Sequence, residues 1–592
     1  MPDTPSAPST WWGPPHPVWR SGAWSLERRG DEFADISFEG RLVARSVRAV
    51  VRDRNWDTAP LFVDHVRETD ATLTLHVRSH DLGSSFRGVV RVEARARSLV
   101  VFTDLESETG FATNRTGLVV LHPPFVAGAT LRVTHSDGSV EQTAFPTAIS
   151  PHQPVFDIAA LGWHANGLEV SVAFDGDVFE MEDQRNWTDA SFKTYSRPLA
   201  LPFPYPVPAG GRVAQTATFR ARFSESAAAE PRATSDRIVL HTGGAFPAIG
   251  LGASTAPEPA PEAPSVGDFV QVELDLASSN WRAALARAAR SAKPLDVRFL
   301  LDPDRAAALA DGVEALRGVR VIRAAAFHQV GEARHVSDRT AVAALRAGLA
   351  AAGIDIPVVG GARSHFTELN RERHRIPGDL DGTTVTVTPL FHALGTEQLV
   401  ESVAMQRLVA QQTVTDAGGA DVHVGPVVLR PRFNDVATAS QPGPKLEDLS
   451  EGYGAQFTGA VDSRQTSDEL AAWTVASAAA LAVPGVASLA FFEEWGPRGI
   501  RSASGDPFPV LEAISALTAL EGDLLWADSP DGELWAIGAH SAAGSRVLVA
   551  NIGRGEREVA VTTPHGEVAA SVAPGAFVRL VPTRPLNTEE RS

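Results

Sequence analysis

VRVIRAAAFHQVGEARHVSDRTAVAALRAGLAAAGIDIPVVGGA, residues 319–362, decides how this chain folds. It opens on a short apolar run, VRVIRAAAF (319–327), and closes on another, PVVGGA (357–362). Between them Val342, Leu345 and Leu349 recur at helical spacing on one face. Strand, helix and strand in that order predict two parallel strands joined by a crossover helix.

Six further runs extend the pattern in both directions: AIGLGAS (248–254), FVQVELDL (269–276), LDVRFLL (295–301), TVTVTPLF (384–391), VHVGPVVL (422–429) and VASLAFFE (486–493). A second helical face carries Leu470, Trp473 and Leu481, with the small Ser477 between them. Eight strand–helix units over roughly 270 residues predict a (β/α)8 barrel of the TIM type. The proline-rich first connection, STAPEPAPEAPSVG (254–267), and the long loop at 431–467 fit that scheme least well. An open doubly wound sheet is the alternative, and no glycine-rich phosphate loop supports it.

Ahead of the barrel the period changes to two. In TLTLHVRS (72–79), Leu73, Leu75 and Val77 alternate with polar neighbours, as a half-buried strand requires. Asp137-Gly138 and Asp175-Gly176 each sit between two such runs and predict hairpins. After the barrel, GELWAIGAH, SRVLVANIG, EREVAVTT and GAFVRLVP return to strand patterning. The expected architecture is multidomain: a flexible tail over 1–19, an N-terminal β-sandwich over 20–225, a TIM barrel over 238–520 and a small C-terminal β-sandwich over 521–592. A linker, SESAAAEPRATSD (224–236), falls between the first two folded units.

Composition narrows the function. A formal net charge of −18 argues against a nucleic-acid partner, because a phosphate backbone needs a basic face. The absence of cysteine excludes disulfides, zinc-thiolate sites and cysteine nucleophiles. The opening residues lack a basic n-region and an apolar core, so a cytoplasmic location is the expectation. ASAAALAVPGVASLAFF (476–492) is broken by Pro484-Gly485 and reads as core, so no membrane partner is expected. A homo-oligomer is compatible with all of this.

In a TIM barrel, chemistry gathers at the C-terminal strand ends. Reading each strand outward places Glu368, Asn370 and Arg371 after the fifth, His392 after the sixth, and Arg430, Arg432 and Asn434 after the seventh. Glu493, Glu494 and Trp495 follow the eighth. Glu368 and Glu493 stand on strands three apart and are candidate catalytic residues, since one protonated and one ionised carboxylate suit acid–base work on a C–O bond. The plain alternative puts Glu368 on a solvated loop and pairs Glu493 with Arg498. His392 is a candidate acid or base near neutral pH, or else a core histidine bonded to a carbonyl. Arg430 and Arg432 suit a carboxylate or hydroxyl clamp, or else they neutralise Glu493 and Asp435. No HExxH or GxSxG pattern occurs, so neither a metal, a cofactor nor a serine nucleophile is expected.

FEMEDQRNWTDASFKTY (179–195) stands apart in composition. The chain has only three tyrosines and three methionines, and lysine is as rare, yet this stretch holds Met181, Lys193 and Tyr195. Surface ion pairs stabilise by only about 0–1 kcal/mol each, so stability alone explains such a cluster poorly. The stretch reads as a segment that crosses the domain boundary and walls the barrel mouth. Glu182, Asp183, Arg185, Trp187 and Lys193 are its candidate substrate contacts, against a structural plug in which Trp187 and Phe192 bury.

GGARSHFTELNRER, PLFHALGTEQLVE, VVLRPRFN, AAWTVASAAALA and FFEEWGPRG, in that order, resemble the barrel of the bacterial D-apionate lactonases. SVRAVVRDRNWDT (46–58), NRTGLVVLHPP (114–124) and the 179–195 stretch resemble the same family's N-terminal sandwich. The resemblance implies opening of D-apionolactone to D-apionate, with a general base (Glu368 or Glu493) activating water and His392 or an arginine polarising the carbonyl. Glu493 is taken over its neighbour Glu494 from the family pattern alone. Where that pattern expects small hydroxylated residues, this chain has Glu494-Trp495, and Trp495 offers a face for a sugar ring. The barrel also resembles sugar-cleaving enzymes, which keeps an exo-acting glycoside hydrolase (Glu368 acid/base, Glu493 nucleophile) as the alternative. A non-catalytic carbohydrate-binding protein is the third reading. The expected partner is a small sugar lactone or a short glycoside.

Overall fold

The computed structural model describes residues 11–224, 236–434, 446–454 and 461–583. The first ten residues of the expected tail and residues 225–235 of the expected linker lie outside the described part. The rest of the tail is docked. Trp11 is buried and its backbone N–H donates to Glu469 (3.2 Å), while the Trp12 indole donates to the Gly553 carbonyl (3.2 Å).

Two sheets of nine strands each form the N-terminal sandwich. Leu73, Leu75 and Val77 of Thr72–Ser79 are buried in the shared core, as their alternation predicts. The Asp137-Gly138 turn closes a hairpin between Thr130–Thr134 and Val140–Ala144. Asp175-Gly176 does something else. Leu168–Asp175 belongs to one sheet and Phe179–Asp183 to the other, so this turn is a crossover between layers and not a hairpin. Phe174 stacks on Phe179 with centroids 4.4 Å apart and pins the corner. Gly176 has φ of +96°, and a Cβ there would lie 2.3 Å from the Ala214 carbonyl oxygen, so the corner requires glycine.

All eight expected barrel strands form: Ala248–Gly252, Phe269–Asp275, Leu295–Leu300, Val321–Phe327, Val359–Gly361, Gly382–Val387, Asp421–Val427 and Val486–Glu493. They are parallel, and the first pairs with both the second and the eighth. A single bridge, Ala324 to Val358, closes the ring between the fourth and fifth. Helix Val510–Thr518 follows the eighth strand, and among the described residues six of the seven crossovers carry a helix. The first, which is proline-rich, carries none, so the expected eight strand–helix units are seven plus a bare strap. Helix Arg339–Ala352 begins on Asp338, whose carboxylate accepts from the Thr340 and Ala341 N–H groups, and ends on Gly353 at φ +65°.

Residues 238–245, assigned above to the barrel, pair with C-terminal strands instead, together with Arg237. Arg237–Val239 lies parallel to Arg557–Thr563, and His241–Ala245 lies antiparallel to Asp523–Trp526. Helix Glu469–Leu481 is buried along its whole length, packed between barrel helices and C-terminal strands. Its alanine-rich sequence suits close approach on every side. No described helix is long and apolar enough to cross a membrane.

Candidate active site

The 179–195 segment forms strand Phe179–Asp183, a short 3-10 turn Gln184–Trp187 and strand Phe192–Tyr195. Every residue in it is buried except the half-buried Glu182. Asp183 and Arg185 hold the turn. Arg185 places Nε and Nη2 on the Asp183 carboxylate (2.8 and 2.7 Å) and gives its remaining donors to the carbonyls of Pro146, Thr147 and Ala148. With the Asp183 side chain 0% and the Arg185 side chain 2% exposed, these two brace the backbone beyond a solute's reach.

That turn docks on the loops after the fifth and sixth barrel strands. Thr367 donates to the Asn186 carbonyl (3.0 Å), and Asn370 donates to Asn186 Oδ1 (3.0 Å) and the Ile149 carbonyl (3.1 Å). The Trp187 ring lies flat on Phe391, with centroids 4.4 Å apart at 9°, and meets His392 edge-on at 5.5 Å. At 4% exposure Trp187, a candidate substrate contact, has no open face for a sugar and instead seats His392. Asn370 likewise works as a domain joint.

Above this joint, between sandwich and barrel, lies a cavity of about 40 Å³ lined by Arg45, Arg48, Arg52, Arg115, Asp189, Lys193 and His392 among others. Lys193 sits opposite Glu182 across two paired strands, with an ion pair of 2.5 Å. Burial pushes the Lys193 ammonium down, Glu182 pulls it back, and the balance leaves it at about 8. Burial opposes ionisation of Glu182, but Lys193 and Arg371 outweigh it and hold the carboxylate well below its usual range. Asp189 accepts from His392 Nδ1 at 2.8 Å across the domain boundary. Burial lowers the His392 pKa from 6.5, and Asp189 acts in the opposite direction. With Nδ1–H committed to Asp189, neutral His392 carries its lone pair on Nε2.

The barrel mouth holds a second charged cluster. Glu273 accepts from Arg363 (2.9 Å) and Arg432 (2.6 Å), Arg432 also bonds the Arg363 carbonyl (2.6 Å), and Arg363 donates to His335 (3.0 Å). Phe433 covers both guanidiniums, at 4.1 and 5.5 Å. Burial opposes ionisation of Glu273 too, yet the two arginines keep it well below the normal range. Arg432, expected as a substrate clamp, is therefore engaged with Glu273. Arg430 donates to the Val461 carbonyl (3.3 Å), and Asp435 lies outside the described residues.

The expected carboxylate pair is engaged locally. Glu368 is the third residue of helix Phe366–Glu372 and completes its capping box, accepting from Ser364 (2.7 Å) and the His365 N–H (3.2 Å). Glu493 accepts from Thr255 (N–H 3.0 Å, hydroxyl 2.8 Å) and from Arg498 Nε (3.0 Å), the pairing given above as the plain alternative. Phe492, in the left-handed region at φ +47°, bulges the eighth strand just before it. Phe491 and Phe492 both lie in one hydrophobic cluster with Trp473, while Glu493 faces Thr255 and Glu494 accepts from Ser265 (2.6 Å). Glu494 and Trp495 line a larger cavity, about 210 Å³, beneath the proline-rich strap. Burial raises the Glu494 carboxyl, and Arg287 is committed to backbone carbonyls.

Asp189, Arg52, Arg115 and Glu273 were not singled out from sequence. The first three stand inside the quoted segments 179–195, 46–58 and 114–124, but only pairing of strands Arg41–Arg52, Arg115–His122 and Phe192–Tyr195 brings those segments side by side.

Two family models match the chain: the D-apionate lactonase N-terminal domain over residues 9–224 and the D-apionate lactonase TIM barrel domain over residues 263–522. The chain belongs to the D-apionate lactonase family. A D-apionate lactonase of Brucella anthropi is 28% identical over 548 residues, spanning 86% of this chain and 88% of that one. Among solved structures, a GH30 endoxylanase from Clostridium papyrosolvens matches 59% of this chain and 99% of its own, at 8% identity and a TM-score of 0.38. A beta-arabinopyranosidase matches 95% of this chain and 98% of its own, at 10% identity and a TM-score of 0.29. For a galactose mutarotase-like protein from Lactobacillus casei the figures are 35%, 100%, 9% and 0.27. Membership in the lactonase family covers both domains that meet at the Asp189–His392 contact.

Proposed function

We propose that this hydrolase opens a sugar-derived lactone, of the D-apionolactone kind, in the cavity between sandwich and barrel. The observation that carries the reading is the 2.8 Å Asp189–His392 contact beside Lys193. Asp189 fixes the imidazole tautomer and leaves Nε2 as general base. A lowered pKa keeps His392 neutral, hence able to accept a proton, at neutral pH.

His392 Nε2 takes a proton from water as the oxygen attacks the lactone carbonyl carbon. The carbonyl π electrons move onto oxygen, where Lys193 faces the growing negative charge in a site shielded from bulk water. Collapse of the tetrahedral intermediate breaks the ring C–O bond, and the imidazolium returns its proton to the leaving alkoxide. The product is a hydroxy acid that ionises on release. In this scheme Glu182 keeps Lys193 charged, while Trp187 and Phe391 keep the histidine in place.

The experiment is a panel of five- and six-membered sugar lactones run against nitrophenyl glycosides, with wild-type protein and His392→Gln. Lactone turnover that collapses in the variant supports the reading. Release of nitrophenol without lactone turnover would replace it with the glycosidase, and sugar binding with no turnover of either set would replace it with the binding protein.

A further inference from the structure

Two of the cavity's cations lack a carboxylate in direct contact among the described residues. Arg45 has Glu401 at 2.6 Å and Arg48 has Asp31 at 3.3 Å. Arg52 and Arg115, by contrast, make no ion pair among the described residues. Arg52 gives Nη1 to the Trp56 carbonyl (3.3 Å), and Arg115 gives Nη2 to the Arg197 carbonyl (3.2 Å). Arg115 is 4% exposed, and its Nε is buried with no hydrogen-bond partner. Its guanidinium lies 3.6 Å over the Tyr195 ring, which fixes where the remaining donors point. Burial, then the charge of Arg115, pushes Arg52 down to about 10, with the more distant Glu182 and Asp189 offsetting only part of the effect. Like charges held together away from water are costly until an anion enters between them.

We propose that Arg52 and Arg115 form a carboxylate subsite that holds the ring-opened hydroxy acid. The inference rests on the reaction proposed above, whose neutral substrate becomes a carboxylate in the cavity these arginines share with His392 and Lys193. A guanidinium fork matches a carboxylate with two parallel donors, which an ammonium does not. The enzyme is then held by its own product, and hydroxy acids of similar length inhibit it competitively.

Calorimetric titration tests this with threonate, a four-carbon polyhydroxy carboxylate, and with its uncharged amide. Wild-type protein should bind threonate at least tenfold more tightly than threonamide, and the preference should shrink as salt rises. Arg52→Gln and Arg115→Gln should each reduce the preference about tenfold, and Arg52→Lys should restore only part of it. If both glutamine variants fail to fold, wild-type kinetics decide, with threonate inhibiting lactone hydrolysis competitively and threonamide failing to do so. Equal binding of acid and amide, an unchanged preference in the glutamine variants, or inorganic phosphate binding as tightly as threonate would overturn the subsite. Loss of the proposed reaction has a different signature: no lactone turns over, whether or not threonate binds.

Discussion

Trp187→Ala should loosen the seam between the two domains by about 3–5 kcal/mol, the usual cost of truncating a buried tryptophan. The structure supplies the parts of that figure. The ring is 4% exposed and lies flat on Phe391 at 4.4 Å. Stacking of this kind adds about 0.5–1.5 kcal/mol beyond burial. The indole N–H also reaches Glu182 at 3.3 Å, and a hydrogen bond to a charged group contributes about 1.5–3 kcal/mol. Trp187→Phe keeps most of the stacked area and loses the N–H, so it should cost about 1.5–3 kcal/mol. For a unit of about 200 residues each kcal/mol shifts Tm by roughly 2–4 °C, which places the alanine variant roughly 6–20 °C below wild type. Differential scanning calorimetry reads this directly, with circular dichroism following the β-rich domain. An alanine variant melting within about 1 °C of wild type would refute the claim that this ring joins sandwich and barrel.

Asp189→Asn removes the charge that raises the His392 pKa, so the acid limb of the kcat/KM profile should move to lower pH while the plateau falls. In wild type that limb should lie below pH 6.5, because protonating His392 removes the base. Glu182→Gln leaves Lys193 beside Arg52 and Arg115 without a counter-charge and should cost about 3–5 kcal/mol in urea unfolding. Lys193→Met should cost less, since Glu182 keeps Arg371 at 3.7 Å and the Trp187 N–H. Glu368→Ala removes a capping box and should cost about 0.5–2 kcal/mol of stability while leaving kcat within a few-fold of wild type.

The barrel was legible because each of its strands is a short apolar run and its helices keep their faces, so VRVIRAAAF and PVVGGA could be read from local pattern. What escaped depends on contacts distant in sequence. Nothing near Asp175-Gly176 distinguishes a hairpin from a crossover between sheets, and nothing in 237–245 announces partners some three hundred residues later. The same holds at the site. His392, Lys193 and Glu182 could be found from a strand end and an odd composition. Their partners Asp189, Arg52 and Arg115 become neighbours only through strand pairing and domain docking. Strand parity at Glu493 and Glu494 was undecidable by alternation because Phe492 bulges the strand, and a bulge leaves no fixed mark in sequence.

Which side chain activates water decides where the chemistry takes place. Purified His392→Gln and Glu493→Gln, each checked for a wild-type melting profile, should be compared for kcat on D-apionolactone. Loss of a positioned general base costs about 10²–10⁴-fold, so the histidine variant should fall by that much and the glutamate variant by less than tenfold. A glutamate variant that is dead beside an active histidine variant would move the chemistry to the barrel rim and contradict the account.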